Sequence, residues 1–241
     1  MRFISETTVD GVSERLFILD DIPGVLWSPA DATGSRPLVL MGHGGGQHKQ
    51  APGMVGRARR FVTECGYAVA AVDAPGHGDR PKTDQDEQLI ATVRERVDAG
   101  EPIGPLMTRY NVELAKRVVP EWQHVLDALR QLDCDGPVGY LGMSMGGGLG
   151  VSFVAAEPRV TAAVLGLVGG AALAEVAARI TVPIEFVLQW DDEMVARAAG
   201  LALFDAFASN EKTLHANPGG HGDTPRFEVE SAQRFFARYL G

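Results

Sequence analysis

Short, wholly apolar runs alternate along the chain with stretches in which apolar residues recur at helical spacing. Runs at 38–41, 67–72, 138–141, 160–167, 184–189 and 212–215 read as strands, most of them apolar at consecutive positions and therefore covered on both faces. Helical spacing is clearest at Val112, Ala115, Val118, Val119, Trp122, Val125, Leu126 and Leu129, which predicts a helix over 111–132 that Pro120 should kink or divide. Further helices are expected at 56–65, stopped by Gly66, from Met145 onward, and at 171–180, 194–208 and 225–239. Near the N-terminus, 15–19 and 25–27 flank the turn sequence Asp21-Ile22-Pro23-Gly24 and predict an edge hairpin. Strand and helix signals in alternation specify an α/β architecture: a doubly wound, mostly parallel sheet with helices on both faces.

The stretch 80–109 breaks that rhythm. It is charged, contains Pro81, Pro102 and Pro105, and carries one amphipathic piece at 89–97. It is long for a connection yet too irregular for a domain, so about 80–110 is expected to act as a lid. A chain of 241 residues, 45% hydrophobic, has one core to build, and 1–241 is expected to be a single domain. No apolar run approaches the roughly 18 residues that span a bilayer, and no basic region precedes an apolar one at the N-terminus. The expectation is a soluble, cytoplasmic protein with no membrane partner. Cys65 and Cys134 lie in no metal or redox spacing and read as small buried hydrophobes. A net charge of -9 with no basic stripe argues against nucleic acid.

Candidate chemistry gathers where strands end. Gly142-Met143-Ser144-Met145-Gly146 fits G-x-S-x-G between an apolar run and a glycine-rich helix. In such a turn the serine stands exposed at the strand's carboxyl end, over helix N-H groups suited to an oxyanion. With 29 glycines in the chain the match also arises by chance, so context must decide. Three other strand-end clusters supply it. His43-Gly44-Gly45-Gly46 can turn main-chain N-H groups into a site, and Gln47 stands where a nucleotide-binding loop needs glycine. Asp191 and Asp192 follow the run 184–189, and either carboxylate could orient a histidine, Asp192 being favoured because it lies further into the loop. His221 sits in the glycine loop 218–223 before the last helix, and none of the other five histidines combines a strand-end location with the right place in the chain.

Serine, then aspartate, then histidine is the chain order of the α/β-hydrolases. From the hairpin to the last helix the chain resembles that superfamily, and its compact form is similar to the dienelactone-hydrolase-like and small serine esterase branch. The resemblance implies Ser144 as nucleophile, His221 as base and Asp192 as its orienting acid. Met145 N-H with an N-H from Gly44 or Gly45 would form the oxyanion hole. The run from Asp73 to Gly78 matches a turn that braces the fold, so Asp73 and His77 read as structural. Dienelactone hydrolases proper use a cysteine nucleophile, so their substrate does not carry over. Too little chain separates the strands at 160–167 and 184–189 for a large inserted cap.

The expected function is cleavage of an ester, with water and a small-molecule acyl substrate as the partners and no metal or organic cofactor. Met143, Trp190, Leu106 and Met107 are candidates for lining the cleft, although methionines beside an elbow more often pack beneath it. Other chemistry on the same fold stays open, namely perhydrolase or haloperoxidase, C-C hydrolase or peptidase activity, as does a non-catalytic binding protein. An exposed edge strand makes a homodimer possible.

Overall fold

A computed structural model describes residues 1–31, 33–132 and 134–241. Its strands are β1 (Arg2–Val9), β2 (Val12–Leu19), β3 (Ile22–Pro29), β4 (Leu38–Gly42), β5 (Ala68–Val72), β6 (Val138–Met143), β7 (Val160–Gly166), β8 (Ile184–Gln189) and β9 (Lys212–Asn217). The helices are α1 (Pro52–Cys65), α2 (Asp84–Asp98), α3 (Gly104–Leu129), α4 (Met145–Ala156), α5 (Ala171–Ala177), α6 (Arg197–Ala206) and α7 (Phe227–Leu240). All the strands join one sheet in the order β1-β2-β3-β5-β4-β6-β7-β8-β9. From β5 to β9 every neighbour is parallel, while β1, β2 and β3 extend the sheet antiparallel. The fold is therefore the doubly wound, mostly parallel α/β sheet that the pattern implies.

Alternation along the central strands feeds two cores. Leu38, Leu40, Ala68, Ala70, Tyr140 and Leu165 point to the face covered by α3 to α6. Val39, Met41, Val69, Ala71, Leu141 and Val164 point to the face covered by α1 and α7. Strands buried on both sides need apolar residues at every position, which is why these runs stand out in sequence. Only α5 intervenes between β7 and β8, and no inserted cap stands there.

Three expectations are corrected. The edge of the sheet is β1, outside the hairpin of β2 and β3; nearly all of β1 is exposed, so burial leaves it no alternating pattern. The stretch 80–109 is mostly helical rather than irregular. Thr83 opens α2 with a reciprocal capping box to Asp86, and Pro105 falls in the first turn of α3, where its missing N-H costs nothing. Finally, α3 is not divided at Pro120 but continues to Leu129. Its buried face runs from Asn111 to Leu129, and that packing outweighs one lost helical hydrogen bond. Among the described residues no helix is long and apolar enough to cross a membrane.

Candidate active site

Ser144 is the joint between β6 and α4. Its backbone sits at φ 57°, ψ -123°, a conformation costing on the order of 1–3 kcal/mol in a residue with a side chain. The Ser144 N-H donates to the Gly166 carbonyl at 2.9 Å, and its own carbonyl accepts from Gly148 N-H at 2.9 Å. Glycine makes the turn possible by letting main chains touch. A Cβ on Gly146 would collide with the Gly42 carbonyl oxygen, and one on Gly142 with the Gly146 carbonyl. The hydroxyl thus stands at the N-terminus of α4, whose first N-H groups have no acceptor within the helix.

Two loops bring the partners. His221 Nε2 lies 2.8 Å from Ser144 Oγ, and His221 Nδ1 lies 2.8 Å from Asp192 Oδ2. An ionised carboxylate only accepts, so Nδ1 carries the proton and Nε2 turns its lone pair to the hydroxyl. The Asp192 side chain is buried, and its Oδ1 accepts from the N-H groups of Met194 and Val195, both at 2.8 Å. Burial would raise this carboxyl, but the His221 hydrogen bond and those backbone donors outweigh it and hold the group below its ordinary range. Asp191 is the exposed member of the pair, 3.7 Å from Arg197 and accepting from Gly219 N-H at 3.3 Å. The backbone N-H of His221 donates to Glu193 Oε2 at 3.0 Å, a support that sequence reasoning missed.

On the other side of Ser144 the glycine loop after β4 lies against α4, with a Cβ on Gly45 reaching to 3.9 Å from that of Met145. Gly44, Gly45, Met145 and Ser144 all face the same cavity. His43 anchors the loop. Its Nε2 accepts from Ala74 N-H at 3.0 Å, so its Nδ1 carries hydrogen and donates to the Gly44 carbonyl at 2.9 Å. Burial drives its pKa down to about 4, against a smaller opposing effect of the Gly44 hydrogen bond. The neighbouring turn is braced by Asp73, which accepts from the Lys49 N-H and ammonium, each at 2.7 Å, and from Asp79 N-H at 2.9 Å. His77 faces the cavity.

That cavity holds about 1060 Å³. Met143 and Met107 are on its wall, joined by Leu89, Ile90 and Val93 of α2 and by Leu167 after β7. Leu106 and Trp190 are not. Because α3 begins at Gly104, each residue advances about 100° around the axis, and Pro105, Met107 and Thr108 meet the cavity where Leu106 does not. Trp190 is 41% exposed, with the Arg197 guanidinium 4.2 Å above its ring. Leu167 has a positive φ of 55°, unusual for so bulky a residue, with its N-H held by the Val187 carbonyl at 3.0 Å. Nothing in the local sequence signals that conformation.

The sequence model of the family described as serine aminopeptidase, S33, matches residues 33–168, more than half of the chain. The chain belongs to this α/β-hydrolase family. Among solved structures, the α/β-hydrolase is similar to a cold-adapted esterase from an Arctic intertidal metagenomic library in its PEG-bound complex, with 33% identity, a TM-score of 0.83 and all of both chains covered. It also resembles the acetyl xylan esterase from Paenibacillus sp. R4, at 16% identity and TM-score 0.74, covering 99% of this chain and 88% of that one. Dienelactone hydrolase from Anabaena variabilis gives 19% identity and TM-score 0.64, covering 100% and 99%. At such identities the last two speak for the fold alone. No curated protein matches the chain.

Proposed function

We propose that this α/β-hydrolase is a serine carboxylesterase that transfers the acyl group of a small or medium, largely apolar ester to water. The observation that carries the reading is the unbroken line Ser144 Oγ, His221 Nε2, His221 Nδ1, Asp192 Oδ2, with 2.8 Å at both junctions, at the wall of an apolar-lined cavity. The similarity to a cold-adapted esterase over the whole chain supports it.

Ser144 Oγ attacks the ester carbonyl carbon while His221 Nε2 takes the hydroxyl proton. The carbonyl π electrons move onto oxygen, and the oxyanion accepts hydrogen bonds from Met145 N-H and from Gly44 or Gly45 N-H. Asp192 stabilises the imidazolium, which returns its proton to the departing alkoxide as the C-O bond breaks. Water then attacks the acyl-enzyme through the same base and frees the acid. The segment α2 with the start of α3 serves as the lid-like wall against which the acyl chain packs. The scheme draws on no metal or organic cofactor.

Amide hydrolysis is the second reading, favoured by the aminopeptidase description of the family. A panel of p-nitrophenyl esters of rising acyl length, run beside an aminoacyl p-nitroanilide and a perhydrolysis assay, separates the readings. Ester turnover that peaks at short or medium chains is expected, together with labelling of Ser144 by a fluorophosphonate. Equal, background-level rates on every ester, with the anilide cleaved, would replace the esterase reading by the peptidase one. Failure of an intact, folded sample to label at Ser144 would remove the catalytic reading altogether.

A further inference from the structure

Glu185 in β8, His215 in β9 and Glu228 in the first turn of α7 bring one ligand-type atom each within 4.8 Å of one another. Among the described residues no other group of three histidine, cysteine or acidic side chains does so. Sheet register explains the meeting. Strands β8 and β9 run parallel with Glu185 opposite Thr213 and Val187 opposite His215, so Glu185 and His215 share one face, diagonally adjacent.

As a hydrogen-bonded cluster the group is incomplete. His215 Nδ1 lies 2.8 Å from Glu228 Oε2, Asn217 Nδ2 donates to Glu228 Oε1 at 2.8 Å, and Ser231 Oγ donates to Glu185 Oε2 at 3.0 Å. His215 Nε2 stays 3.8 Å from Glu185 Oε2, too far for a hydrogen bond. Glu185 Oε1 is left with no partner although its side chain is only 5% exposed. A buried carboxylate oxygen without a donor costs several times what a typical hydrogen bond returns.

We propose that Glu185, His215 and Glu228 form a binding site for one divalent transition-metal ion of the zinc or cobalt type. One imidazole nitrogen with two carboxylates suits such borderline ions better than calcium or magnesium, which take oxygen alone. Ser231 and Asn217 hold the outer carboxylate oxygens and so orient the ligands. Bonds of about 2.0–2.2 Å require donor atoms no more than about 4.4 Å apart, so small side-chain torsions close the site around the ion. Entry is open, since His215 is partly exposed and Glu228 forms part of the cavity wall. His215 and Glu228 stand at the two ends of loop 218–226, which carries His221, so the ion fastens the ends of that loop and stabilises the folded chain by mass action.

The test is equilibrium dialysis of the chelator-treated full chain against Zn²⁺ and, separately, Co²⁺, with thermal melts of the same samples. One equivalent of either ion is expected, with visible d-d absorption for Co²⁺ and a higher Tm in Zn²⁺. Glu185→Gln should weaken binding by roughly 10- to 100-fold or more and abolish the rise in Tm, while His221→Ala should bind as the parent chain does. If Glu185→Gln does not fold, His215→Gln supplies the same comparison. Binding below one equivalent at saturating free metal, or unchanged affinity in the ligand variants, overturns the proposal. Loss of binding in His221→Ala alone also overturns it, by moving the ion to the Ser144 line.

Discussion

The elbow around Ser144 and the cover over the cavity are built on opposite plans. At the elbow, main chain touches main chain: glycines at 42, 142 and 146 leave no room for a methyl group, and Ser144 is held at a positive φ by two backbone hydrogen bonds. The cover has little of this. Helix α2 buries no residue and is tied down chiefly by Asp86, which caps it with Thr83 and accepts from the Tyr110 hydroxyl at 3.3 Å. The start of α3 is fastened by Thr108 Oγ1, which donates to the Gly169 carbonyl at 2.8 Å. Each such side-chain bond contributes about 1 kcal/mol. Under the proposed mechanism the reacting atoms are therefore placed by contacts without slack, and the wall that would meet the acyl chain by contacts that can give. Changes at the elbow should end the chemistry, and changes in the cover should alter which ester is taken.

The largest effect separates the chemistry from the scaffold. Ser144→Ala is expected to lower kcat on the preferred ester by about a million-fold, judging from other serine triads, with the fold retained. Steady-state rates and a thermal melt on the same sample check both halves. A residual rate within tenfold of the parent would mean that another group carries the reaction. Next comes the elbow's lack of slack. Gly146→Ala drives a methyl group into the Gly42 carbonyl, so a loss of about 3 kcal/mol, the upper range for over-packing, is expected in urea unfolding. An alanine variant as stable and as active as the parent would show that the turn can yield, and the contrast with the cover would fail.

His43 links the elbow to pH. In the folded protein its imidazole stays neutral down to about pH 4, held so chiefly by burial, whereas in the unfolded chain it protonates near 6.5. Between those values the unfolded state binds more protons, so stability is full above pH 6.5 and falls as pH drops toward 4. The shift corresponds to about 3 kcal/mol in all. Protonation also removes the Nε2 lone pair that accepts from Ala74 N-H, and with it the tie between the glycine loop and the turn after β5. Urea unfolding at pH 7 and pH 4.5 should show a smaller drop in His43→Gln than in the parent chain. Equal drops would place the pH dependence elsewhere. Asp192, whose folded pKa is depressed, acts below this window, because its contribution is lost only as pH falls under the ordinary aspartate value.

The same contrast governs what the sequence made legible. Central strands such as β4 and β5 announce themselves because both faces are covered and their residues are apolar throughout. Ser144, Asp192 and His221 stand in loops at strand ends, with a chain order that few folds share, and so could be picked out before any geometry. In contrast, β1 lies at an exposed edge and α2 at an exposed surface, and neither has burial to imprint a period on its residues. Pro105 suggested a break where it serves as a helix start. Trp190 reads in sequence as a large apolar side chain suited to the cleft, but it lies at the surface with the Arg197 guanidinium over its ring. The positive φ of Leu167 and the two hydrogen bonds of His43 depend on neighbours distant in sequence, which local pattern does not record.

The smallest effect tests the cover directly. Thr83 Oγ1 accepts from Asp86 N-H at 3.3 Å and donates to Asp86 Oδ2 at 2.8 Å, and the same carboxylate oxygen accepts from Thr83 N-H at 2.8 Å. Thr83→Ala removes the hydroxyl and should cost α2 about 1 kcal/mol of local stability. Because α2 buries nothing, that loss opens the helix without unfolding the sheet, so Tm should scarcely move while amide exchange in 84–98 quickens. Leu89, Ile90 and Val93 then meet the acyl chain less firmly. KM should rise for the longer p-nitrophenyl esters, whose chains reach α2, and stay level for the acetate, with kcat on the acetate unchanged. A fall in Tm comparable to that of Gly146→Ala would show instead that the cover unfolds together with the sheet, and substrate choice would then have to be sought in the rigid half of the cavity, around Met143 and Leu167.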